Sequence, residues 1–80
     1  MEKQYVWILD INIETKHISS IRVFNDQQKV TAVANAVLQE NHSDSNPWKR
    51  SLGMEWHYYR RVPSTDSGRE SVTITMYEVE

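Results

Sequence analysis

The residues with the greatest chemical capacity lie close together in the chain. Trp48-Lys49-Arg50 and Trp56-His57-Tyr58-Tyr59-Arg60-Arg61 hold two of the three tryptophans, two of the four tyrosines and four of the nine lysines and arginines. Trp, Tyr and Arg bury large areas at low entropic cost and still hydrogen-bond, so they are the residue types enriched at interface hot spots. The chemistry they offer here is contact rather than catalysis. The same aromatics beside cations could also stack the bases of a single-stranded nucleic acid. The ordinary alternative is that Trp56 and Tyr58 belong to a core, Tyr59 half-covers a sheet and the arginines are solvated. For the segment as a whole an interface is the preferred reading. Its contact residues are Trp48, Lys49, Arg50, His57, Tyr59, Arg60 and Arg61, joined by Tyr77 from the last strand.

Other chemistries find little support. The histidines His17, His42 and His57 sit in no metal-ligand spacing, and His42-Ser43-Asp44 is a weak loop pattern. Without cysteine a zinc site would need three or four converging His, Asp or Glu groups. The carboxylates are scattered and form no evident acid and base couple. Asp26 reads as a helix cap, and Asp10, on a strand, reads as solvent-facing. There is no nucleophile elbow, phosphate loop or dinucleotide fingerprint. The two glycines, Gly53 and Gly68, read as turn residues. No catalytic residue, metal, cofactor or small-molecule substrate is expected, and the chain is not read as an enzyme.

Several elements must hold these side chains. Residues 5–13 are β-branched and aromatic and read as a central strand, with Tyr5, Trp7, Leu9 and Ile11 on one face. Residues 14–17 suit a hairpin loop. A second, edge strand spans 18–25, with Ile21 and Val23 expected inward and Arg22 outward; Ile18 and Phe24 break that alternation. After Asp26 the period changes. Val30, Val33, Ala34, Val37 and Leu38 form one stripe of an amphipathic helix that ends near Asn41. Residues 41–53 read as a long polar loop, 54–62 as a third strand, 63–70 as a turn and 71–79 as the clearest strand.

These elements assemble as a single α+β domain over residues 1–80. The expected order is ββαββ, with one helix on one face of a four-stranded, mainly antiparallel sheet. The helix would cover Leu9, Ile11, Ile21, Val23, Trp56, Val72, Ile74 and Met76. The other face would carry Val6, Ile8, His57, Tyr59, Arg61, Thr73, Thr75 and Tyr77. That face is less polar than a simple solvated surface, which points to a protein partner or a second copy. The assignment depends on register, because a slip of one residue inverts every face.

Composition limits the classes further. Eighty residues suffice for one domain with a small core, so a stabilising dimer contact is plausible. The net charge of −2 argues against a globally basic nucleic-acid binder and against an acidic DNA mimic, and ranks nucleic acid below protein as the partner. The absence of cysteine fits a reducing cytoplasm. No apolar run approaches the length of a membrane span, and the N-terminal residues lack a signal-peptide pattern.

Tyr5-Val6-Trp7, Val23-Phe24-Asn25-Asp26 with Lys29, and Tyr77-Glu78-Val79 together resemble a class of short phage and bacterial ββαββ domains of unknown function. The chain departs from that class at Val30, where alanine is usual, and in its long 41–53 segment. In size and style it is also similar to small phage anti-defence proteins, some of them anti-CRISPR proteins. That likeness implies a protein that inhibits or modulates a host complex by covering one of its surfaces, and it carries over no functional residues.

Overall fold

The computed structural model describes residues 3–52, 56–62 and 68–79. The chain runs β1 (Gln4–Ile13), a single 3-10 turn (Glu14–Lys16), β2 (Ile18–Phe24), α1 (Gln27–Glu40), β3 (Lys49–Arg50), β4 (His57–Arg61) and β5 (Arg69–Val79). The strands form one antiparallel sheet in the order β2-β1-β5-β4-β3. Among the described residues, the α+β class, the single helix and the central place of β1 follow the pattern read from the sequence. The sheet has five strands rather than four. The added strand, β3, is two residues inside the segment read as a loop, where Lys49 pairs with Tyr59 and Arg50 with Tyr58. The expected start of the third strand, residues 54 and 55, and most of the expected 63–70 turn lie outside the described residues.

The hairpin between β1 and β2 sets the register of one sheet edge. His17 closes the 3-10 turn at φ 56, in the left-handed region, and its backbone N–H donates to the Glu14 carbonyl at 3.1 Å. Ile13 then faces Ile18, and the ladder continues unbroken to Trp7 opposite Phe24. Residues directly opposite in an antiparallel ladder share a face. Ile18, Ser20, Arg22 and Phe24 therefore lie on the helix side, and Ile21 and Val23 lie on the open side. This corrects the expectation that Ile21 and Val23 point inward. Their side chains are 71% and 64% exposed. The residues that broke the alternation, Ile18 and Phe24, are the ones in phase with the core.

Helix α1 starts where Asp26 supplies an acceptor. Its Oδ1 takes hydrogen bonds from the backbone N–H groups of Gln28 at 2.8 Å and Lys29 at 3.4 Å. That satisfies donors which the first turn leaves without intrahelical partners. The helix crosses from the β2 edge toward the β3 edge and lays Val30 and Ala34 on the sheet. These two pack with Leu9, Ile11 and Ile13 of β1 and Val72 of β5 in one buried cluster. Trp7, Phe24, Val33, Val37, Leu38, Trp48, Trp56 and Ile74 surround it, half-buried. The core is small, as the surface-to-volume ratio of so short a chain requires. The molecule is elongated, 49 Å against 22 and 20 Å.

Candidate docking face

Strand alternation divides the 48–61 segment between two surfaces. On the helix side lie Trp56, Tyr58 and Arg60, with Arg50 beside Tyr58 at the β3 edge. On the open side lie His57, Tyr59 and Arg61, with Lys49 beside Tyr59. The segment is therefore not one contact surface.

Arg60, expected at a contact surface, is only 7% exposed and serves the interior. Its Nε donates to Glu70 Oε1 at 2.7 Å, and its Nη1 donates to the Asn41 carbonyl at 2.7 Å and the Asn46 carbonyl at 3.3 Å. The guanidinium lies 4.2 Å from the centre of the Trp48 ring. Glu70 is fully buried, and its Oε2 accepts from the backbone N–H and the hydroxyl of Thr15 at 3.0 and 2.7 Å. Burial pushes the Glu70 carboxyl up, but the hydrogen bonds from Thr15 and the Arg60 guanidinium outweigh it and hold the group below its ordinary value.

Trp48 is likewise turned inward. Its indole N–H donates to the Leu38 carbonyl at 3.2 Å, and its ring packs against the core cluster. Arg60 and Trp48 together occupy the C-terminal end of α1, where carbonyls lack intrahelical partners and a cation is favoured. The amide of Asn46 adds a bond to the Arg61 carbonyl at 2.8 Å. These contacts anchor the 41–48 segment against β4. Signals for this arrangement were present: with Trp56 inward, period two also places Tyr58 and Arg60 inward. Nothing in the sequence marked Glu70 as the partner, because it lay in a stretch read as a turn.

The open face is built from cross-strand rows. Near one end Val6 faces Tyr77, and Ile8 is flanked by Val23 and Thr75. In the middle Asp10 lies between Ile21 and Thr73, and Thr73 faces His57. Further along, Asn12 is flanked by Ser19 and Ser71, and Ser71 faces Tyr59, which faces Lys49. At the far end Arg61 faces Arg69. The face thus grades from apolar, at Val6, Ile8, Ile21, Val23 and Tyr77, to aromatic and basic. Five of the eight proposed contact residues, Lys49, His57, Tyr59, Arg61 and Tyr77, share it. Trp48, Arg50 and Arg60 do not. Ile21 and Val23 belong to it, and hairpin geometry rather than local alternation would have been needed to find them.

His57 and Tyr59 form a stacked pair on this face. Their rings stack with centroids 5.8 Å apart and planes 27° from parallel. His57 Nδ1 lies 2.6 Å from the Thr73 hydroxyl. Partial burial, then the nearby Arg69 charge, lowers the His57 pKa, so the imidazole is favoured in its neutral form. Tyr59 is half-buried, while Arg61 and Lys49 are exposed.

Among the described residues, open clefts of about 460 and 510 Å³ lie beside Leu38, Trp48 and Tyr58 and beside Gln4, Trp7 and Val79. Another, beneath the first turns of α1 and lined by Trp7, Val30, Trp56 and Met76 among others, encloses about 40 Å³. Among the described residues no three His, Asp or Glu side chains converge as metal ligands, and no helix is long and apolar enough to cross a membrane. Compared with family models, with curated proteins and with solved structures, the chain matches none.

Proposed function

We propose that the protein is a non-enzymatic binding module that docks the open face of its sheet on another protein. The observation that carries this reading is the joining of exposed Ile21, Val23 and Tyr77 to the stacked His57–Tyr59 pair and Arg61 on one face. Large apolar and aromatic groups on a surface cost solubility unless contact recovers their burial. The aliphatic end supplies area, and the basic and aromatic end supplies hydrogen bonds and orientation. Action by covering a surface of a host complex in the cytoplasm, as the resemblance to small phage proteins implies, agrees with a face of this kind.

The test is capture from a lysate by wild-type protein and by a Tyr59→Ala, Arg61→Ala double variant. The variant should melt near the wild-type temperature and lose the captured protein. Equal capture by both would place the contact elsewhere.

Single-stranded nucleic acid is the second reading, supported by stacked rings beside Lys49, Arg61 and Arg69 on one end of the face. It predicts oligonucleotide binding that weakens steeply with salt. A flat salt response would remove it.

A further inference from the structure

One edge of the sheet is a surface distinct from the open face. β2 ends the sheet on one side, and all seven of its residues pair with β1 without a bulge. It contains no proline. Edge strands present a row of backbone donors and acceptors, which proteins commonly blunt with charge, proline or a bulge. The single charge here, Arg22, lies on the helix side with its guanidinium 5.2 Å from the centre of the Phe24 ring. The open side of the strand presents Ile21 and Val23, the strand's two most exposed apolar groups.

The geometry points to antiparallel pairing of β2 with β2 of a second copy, with the two-fold axis at Ile21. A two-fold axis that joins two antiparallel edges into one sheet stands perpendicular to that sheet. Residues opposite one another then share a face, so the axis must fall on a residue. An axis at Arg22 would set two arginines directly opposite and shorten the ladder. An axis at Ser20 would also shorten it and would set Ile21 against Ser19. With the axis at Ile21, the whole strand pairs: Ile18 meets Phe24, Ser19 meets Val23, and Ser20 meets Arg22. No like charges oppose. The aliphatic residues Ile8, Ile21 and Val23 of the two copies become one continuous strip. Both helices lie on one side of the joined sheet, and both open faces lie on the other. The dimer adds burial that a small core lacks. It also doubles the docking face rather than consuming it, so it stands whether or not that face binds a partner.

Light scattering and sedimentation should give twice the monomer mass at high concentration and a concentration-dependent return to monomer. Ser20→Arg sets arginines opposite Arg22 twice across the axis and should weaken the dimer about tenfold or more. Adding Arg22→Glu to Ser20→Arg should restore it. The chain has no cysteine, so single cysteines report the register. Ile21→Cys should cross-link under copper-phenanthroline oxidation, because opposed residues lie about 4.5–5.5 Å apart at Cα, within disulfide range. Val23→Cys should not, because the two copies of that residue would lie roughly 14 Å apart. A wild-type monomer at high concentration would overturn the proposal. So would a dimer that ignores Ser20→Arg and cross-links through Val23→Cys instead of Ile21→Cys.

Discussion

At the scale of single residues the buried Arg60–Glu70 pair ties β4 and β5 to the end of α1 and, through Thr15, to the turn between β1 and β2. Removing two ions from water costs several kcal/mol each, by order of magnitude. Here further contacts hold the pair: Thr15 donates twice to one carboxylate oxygen, and the Asn41 and Asn46 carbonyls and the Trp48 ring receive the guanidinium. The pair is therefore costly to break rather than a large net source of stability. Glu70→Gln leaves a buried arginine without its counter-ion and should destabilise the fold by about 3–5 kcal/mol in urea melts. The joint replacement Arg60→Met, Glu70→Leu should cost less than the sum of the two single changes. A pH dependence follows from the same carboxyl. The folded state holds its pKa below the ordinary value of 4.5. Its contribution is therefore fully present above about that pH and is lost as the pH falls through the lower, folded value. The urea midpoint of the wild type should drop on acidification below this point, and Glu70→Gln should show a shallower acid limb. An unchanged limb would mean that other carboxylates carry the dependence.

At the scale of elements, the sequence reports what local physics controls and is silent where distant contacts decide. Asp26 and the Val30–Leu38 stripe announce the helix, because capping and period 3.6 are local. Asp26→Ala should cost about 1 kcal/mol, read as a lowered urea midpoint with helix content retained after refolding, since the cap bonds only two amides of the first turn. β1 and β5 were legible for the same reason: their β-branched residues alternate or run together over a strand's length. β2 was legible as a strand and as an edge, yet its faces were inverted. Its phase is set by the turn that closes at His17 and by pairing with β1, neither of which its own residues encode. β3 could not be read at all. Two basic residues become a strand only because Trp48 and Arg60 tether the preceding segment to the end of α1. The candidate site shared this fate. Tyr59, Arg61 and Tyr77 were placed correctly by period two, whereas Trp48 and Arg60 were drawn into the interior by contacts made across the fold.

At the scale of the whole molecule the question is why aliphatic residues stand on the uncovered face at all. Folding does not require them. Leu9 is fully buried under the helix, and Leu9→Ala should cost about 2–5 kcal/mol through lost burial and a cavity. Ile21 and Val23 are mostly exposed, so their side chains contribute little to the isolated domain. Replacing both by threonine keeps the β-branched shape that the strand favours and removes only apolar surface that water already reaches. At a concentration low enough for light scattering to give the monomer mass, Ile21→Thr with Val23→Thr should shift stability by no more than about 0.5 kcal/mol for each residue. The same variant should lose affinity for its partner, because the apolar strip is what that contact buries. The comparison with Leu9→Ala in urea melts is the deciding one. A threonine variant as unstable as the core variant would mean that the face is already covered within the monomer, and the docking reading would fail with it. A stable variant with lost binding would mean that these two aliphatic side chains are held on the surface for contact and not for the fold.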